Sequence, residues 1–94
     1  MTATGIDLGG AWELDPQVAL RPEPFGALAY HFGTRRLSFL KSRQLLDVVR
    51  ALGAHPTAED ACRAAGVSED ELPRYEQALA TLATTGMITP RAAA

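Results

Sequence analysis

A single cysteine, Cys62, is all the thiol chemistry this 94-residue chain holds. That excludes an internal disulfide and any multi-cysteine metal site, and it suits a reducing compartment. A surplus of positive charge is missing too: nine Lys and Arg stand against eleven Asp and Glu, for a net charge of −2. Such a balance provides no electrostatic footprint for nucleic acid or an anionic membrane. Long hydrophobic runs are absent, and no stretch approaches the ~20 apolar residues of a membrane span. The first ten residues lack the basic region and apolar run of a signal peptide. The expected location is the cytoplasm.

What is present is enough apolar side chain for one core, 47% of the residues. Residues 1–11 are rich in Gly and Thr and lack periodicity, so a flexible tail is expected there, with a domain over 12–89 and a second flexible tail over 90–94. Val18-Ala-Leu-Arg21 alternates, with Val18 and Leu20 on one face. Pro22 and Pro24 follow and mark an edge or a bend. Ala27 to Phe32 alternates again, and the larger residues Leu28, Tyr30 and Phe32 are expected inside, with His31 pointing away from the core. Gly33-Thr-Arg-Arg36 is a turn in which Gly33 can take positive φ. Leu37 to Lys41 resumes the pattern, with Leu37 and Phe39 assigned inward and Ser38 and Leu40 outward. Phe39→Ala would then remove ~3–5 kcal/mol of core stability.

The period changes to 3.6 after Ser42, a candidate N-cap for a helix bearing Leu45, Val48, Val49 and Leu52. Gly53 stands where a left-handed helix-ending residue is common. Thr57-Ala-Glu-Asp60 opens a short helix that Gly66 ends, and Ser68-Glu-Asp-Glu71 is a capping box before a third helix lined by Leu72, Tyr75, Leu79 and Leu82. Pro73 admits a second start for that helix, at Leu72 or Pro73, with Ser68–Glu71 as a preceding turn. Gly86 closes it, and Met87 and Ile88 fold onto the core. The predicted fold is α+β and winged helix-turn-helix-like: a three-stranded antiparallel meander, then three helices (β-β-β-α-α-α).

Catalytic and metal-binding arrangements are lacking. His31 and His55 have no partner at metal-ligand spacing. Glu59, Asp60, Glu69, Asp70 and Glu71 sit at helix starts, where the macrodipole stabilises carboxylates. Cys62, among alanines in mid-helix, reads as a packing residue. No enzyme, metal or cofactor is expected. A DNA-binding winged-helix regulator is the main alternative, because Ala61 to Ser68 has the form of a helix-turn-helix corner. The residues that would enter a major groove, however, include Glu69, Asp70 and Glu71, facing a polyanion. A structural adaptor subunit is a further alternative.

The last strand of the meander, Arg35-Arg-Leu-Ser-Phe-Leu-Lys41, leaves one edge open to an extended peptide. Its flanking cations read equally as protection against aggregation. Ser38→Pro tests this edge if the backbone of residue 38 faces the guest. The runs Arg-Pro-Glu-Pro-Phe-Gly-Ala27 and Gly-Thr-Arg-Arg-Leu-Ser-Phe-Leu40 together resemble the peptide chaperones of the mycofactocin pathway. These belong to the wider family of precursor-peptide recognition elements typified by the pyrroloquinoline-quinone (PqqD-like) peptide chaperone. The resemblance covers about residues 12–89. It implies a domain that binds the leader of a ribosomally made precursor peptide as an added strand, beside the third helix. It also implies delivery of that peptide to a radical S-adenosylmethionine maturase. Carried over by position, the peptide-binding residues are Arg36, Leu37, Ser38, Phe39, Leu40 and Lys41 on the strand, with Arg74, Tyr75 and Ala78 on the helix.

Overall fold

The chain passes from strand to helix at Ser42, whose side-chain oxygen accepts the Leu45 N–H at 3.0 Å. On either side of that cap, the computed structural model describes residues 8–91. In order they form β1 (Trp12–Leu14), β2 (Val18–Glu23), β3 (Gly26–His31), β4 (Leu37–Leu40), α1 (Arg43–Ala51), α2 (Ala58–Ala64), α3 (Leu72–Thr84) and β5 (Ile88–Pro90). Strands β2, β3 and β4 make the expected antiparallel meander. Two further strands, β1 and β5, pair antiparallel into a separate ribbon, with Leu14 opposite Ile88. Both are three residues long, too short to show alternation in the sequence.

Alternation along the meander is as expected, but the assignment of its faces is reversed. Ala27, Ala29 and Leu40 are buried beneath the helices with Val18, whereas Tyr30, Phe32, Leu37 and Phe39 are exposed. Ser38 lies on the helix side with Leu40, not outward. A period of two shows which side chains share a face, and the helices decide which face is covered. Small Ala27 and Ala29 allow α1 to approach the sheet, and the helices themselves supply the bulk. Leu45, Leu46, Val48, Val49, Leu52, Leu79 and Leu82 are all buried.

His31 is likewise buried, at 7% exposure, and does not point away from the core. Its Nδ1 accepts the backbone N–H of Gly33 at 3.0 Å and of Thr34 at 3.1 Å, so the imidazole organises the β3–β4 turn from within. Its Nε2 lies 3.6 Å from the Asp15 carboxylate. The positive φ in this turn falls on Arg35, at 60°, and not on Gly33. Gly33 is needed for space instead, because a Cβ there would meet the Gln17 side chain and the His31 ring.

The caps at Thr57 and Gly66 are present. Thr57 accepts the Asp60 N–H at 3.1 Å, and Gly66 adopts a φ of 90°. Gly53 is not left-handed: α1 tightens into a 3₁₀ turn over Leu52–Ala54. Of the two starts open to α3, the later one is taken. Glu69–Glu71 form a 3₁₀ turn, and Pro73 sits within the first turn of α3, where a missing N–H leaves no helical bond unmade. Met87 and Ile88 are buried, and Gly86 has a φ of 79°.

Parts of both expected tails carry hydrogen bonds. The Leu8 and Gly10 carbonyls accept from Glu59 and Ala58 at the start of α2. Pro90 ends β5, and Arg91 donates its backbone N–H to Ala11. Its guanidinium reaches the carbonyls of Leu52, Gly53, His55 and Pro56 at 2.8–3.3 Å. The remaining tail positions, 1–7 and 92–94, lie outside the described residues.

Candidate functional site

Between β4 and α3 lies a groove of about 470 Å³. Ser38, Phe39, Lys41, Ser42 and Leu45 form one wall, while Arg74, Tyr75, Ala78, Thr81 and Leu82 form the other. Tyr75 is held by its hydroxyl, which donates to Gln44 Oε1 at 2.9 Å. Gln44 in turn donates through Nε2 to the Ala65 carbonyl at 3.2 Å. One amide on α1 therefore ties α3 to the end of α2 and fixes the spacing of the groove.

Gly26 fixes the other wall. It has a φ of 153°, and a Cβ there would clash with the Leu40 carbonyl and lie 2.8 Å from the Ser42 nitrogen. Only glycine lets β3 begin this close to the point where β4 turns into α1.

Six of the nine predicted positions come together on the groove: Ser38, Phe39, Lys41, Arg74, Tyr75 and Ala78. Leu40 lies in the core, fully buried, and does not line the groove. Leu37 projects from the outer side of the sheet, and Arg36 is exposed at the start of β4. Ser42, Leu45, Thr81 and Leu82 line the groove without having been singled out in the sequence. The last two continue the helical stripe of Arg74 and Ala78, so steps of three and four residues would have found them.

The open rim can be placed residue by residue. The His31 N–H donates to the Arg36 carbonyl at 2.9 Å, which makes that opposed pair a bonded one. Bonded and non-bonded pairs alternate in an antiparallel ladder. With Ala29 opposite Ser38 and Ala27 opposite Leu40, residues 36, 38 and 40 turn their backbone groups toward β3. Leu37 and Phe39 therefore direct theirs away. Among the described residues β4 pairs with β3 alone, so those two N–H and two C=O groups form the free rim. The backbone of Ser38 does not contribute to it. Strand β2 agrees with this phase, since the Phe32 N–H donates to the Gln17 carbonyl and Pro22, which has no N–H, then falls at an outward-facing position.

Elsewhere the chemistry is structural. Cys62 is fully buried, and burial together with the neighbouring Glu59 carboxylate pushes its thiol above its ordinary pKa, so it is a poor nucleophile. Among the described residues no group of three His, Cys, Asp or Glu could hold a metal ion. Glu69 and Asp70, at the helix-turn-helix corner, are exposed, and Glu69 pairs with Arg63 at 2.8 Å. Among the described residues no helix is long and apolar enough to cross a membrane.

Fold and groove together define a small α+β helix-turn-helix domain with one open sheet edge facing a helix. Residues 11–89 match the peptide chaperone MftB family, and the chain belongs to that family, in the mycofactocin pathway. It is 55% identical over 91 residues to the peptide chaperone MftB of Mycobacterium ulcerans (strain Agy99), covering 97% of this chain and 84% of the relative. It is 56% identical over 86 residues to that of Mycobacterium tuberculosis (strain ATCC 25618 / H37Rv), covering 92% and 79%. The corresponding protein of Mycolicibacterium smegmatis (strain ATCC 700084 / mc(2)155) is 54% identical over 80 residues, covering 85% and 78%. No solved structure matches the chain. The relatives are named as peptide chaperones, not as enzymes, in keeping with the non-catalytic role expected from the sequence.

Proposed function

We propose that the chain binds the leader of a precursor peptide as a fourth strand on β4 and presents it to a radical S-adenosylmethionine maturase. The observation that carries this reading is the pairing of a free backbone rim at Leu37 and Phe39 with the groove against α3. The nine positions named from the resemblance are proposed as the site, with Leu37 and Phe39 supplying backbone and Ser38, Phe39, Lys41, Arg74, Tyr75 and Ala78 lining the groove. Arg36 flanks the rim, and Leu40 supports β4 from the core. The single buried thiol suits work in the reducing cytoplasm.

Four ladder bonds contribute roughly 0.5–1.5 kcal/mol each. Two apolar side chains seated in the groove add about 1.5–3 kcal/mol apiece, and ordering the peptide opposes binding by about 2–5 kcal/mol. The balance permits affinity of micromolar order, near −8 kcal/mol. Calorimetric titration with the isolated leader should show it. No heat of binding at hundreds of micromolar would remove the proposal.

A further inference from the structure

The five exposed large apolar side chains of the described residues, Phe25, Tyr30, Phe32, Leu37 and Phe39, gather on the outer side of the meander. Their exposures run from 37% to 61%, and all three phenylalanines of the chain are among them. Leu28 lies between, opposite Phe39 on β4 and Arg21 on β2. The rings also touch one another: Phe25 meets Phe39 edge-on at 6.2 Å, and Tyr30 meets Phe32 edge-on at 5.3 Å. Isolated exposed apolar residues are ordinary, but a contiguous aromatic sheet face marks an interaction surface.

Charge and continuity narrow the occupant. Arg21 stands on this face opposite Leu28, its guanidinium 2.9 Å from Glu23, and Arg35 and Arg36 are exposed in the turn between Phe32 and Leu37, in a chain whose net charge is −2. The segment 1–7 holds only Met1 and Ile6 as large apolar side chains, too few to cover the patch. We propose that the outer sheet face docks the protein that receives the peptide, through an apolar surface of that protein rimmed by carboxylates. This rests on the peptide-delivery reading above. A guest strand beside β4 would place alternate side chains on this same outer face. The receiver would therefore meet a wider surface on the loaded chaperone than on the empty one.

The maturase is the probe. It is titrated calorimetrically into wild type, Tyr30→Ser/Phe32→Ser and Arg21→Glu, and each protein is separately titrated with the leader. Both replaced side chains of the double variant are exposed and lie off the groove, so its circular dichroism and melting should match wild type. The expected result is at least a tenfold loss of maturase affinity with leader affinity within twofold. Arg21→Glu should weaken maturase binding severalfold, and strengthened binding would overturn the carboxylate rim. Undiminished maturase binding by the double variant overturns the proposal. So does a parallel loss of leader affinity, which would assign the face to the guest. Sedimentation showing a wild-type dimer that the double variant abolishes, with maturase binding intact, would assign the face to a second copy and overturn it as well. If wild type ignores the leader yet docks the maturase through this face, the peptide reading fails alone and the docking surface stands.

Discussion

Phe39 occupies two roles at once, because its backbone lies on the free rim while its ring joins the groove and the outer face. Placed inside the core, it would be costly to remove; at 59% exposure, Phe39→Ala should change stability by less than about 1 kcal/mol. Phe39→Pro deletes an outward N–H without breaking the β3 ladder, as Pro22 does on the opposite edge. Leader affinity should fall at least about tenfold below that of Phe39→Ala, roughly the net worth of one or two ladder bonds. Ser38→Pro should instead unfold the sheet, since residue 38 bonds inward to β3. Calorimetry and thermal melting of the three variants separate these outcomes, and equal leader binding by Phe39→Pro and Phe39→Ala would contradict the edge. At Cys62, burial and Glu59 raise the thiol pKa, so the folded chain keeps a proton that the unfolded chain loses. Stability from this source is whole below the ordinary thiol pKa and declines as pH rises toward the raised folded value. Melting between about pH 7 and about pH 10.5 should show a steeper alkaline decline in wild type than in Cys62→Ala.

Among the elements, the β1–β5 ribbon joins the two ends of the expected domain, and Arg91, from the expected C-terminal tail, closes the molecule beyond it. The Arg91 guanidinium takes four carbonyls at and just after the 3₁₀ turn that follows α1. It does the work of a C-terminal cap that Gly53, lacking a left-handed backbone, does not perform. Arg91→Ala should lower unfolding free energy by about 1–3 kcal/mol, read from urea denaturation. Leader binding should persist, because the groove lies on other elements. The groove depends more on the amide of Gln44, which spans α1, α2 and α3.

For the whole molecule, charge is mixed: four of the nine cations, Arg21, Arg35, Arg36 and Lys41, lie in or beside the meander, and the helix-turn-helix corner exposes the carboxylates of Glu69 and Asp70. Leader binding by strand addition should therefore weaken only modestly between about 50 and about 200 mM salt. A DNA-binding domain making several phosphate contacts would lose orders of magnitude over that range. Titrations at the two salt concentrations distinguish the regulator reading from the chaperone reading.

Much of this arrangement follows from local rules and was legible in the chain. Alternation marks β2, β3 and β4, the 3.6 period marks the helices, and Ser42, Thr57, Gly66 and Gly86 punctuate them through side-chain caps or positive φ. The distinctive runs of residues 21–27 and 33–40 carry the resemblance to the family that residues 11–89 match. Only the tertiary structure decided which sheet face the helices cover, that His31 is enclosed, and that Leu37 and Phe39, not Ser38, own the free rim. A period of two is symmetric between faces, and the phase of a ladder depends on which residues lie opposite one another. The β3–β4 turn sets that phase at His31 and Arg36, the helices set the covered face, and Arg91 bonds residues more than thirty positions away, none of which alternation alone encodes.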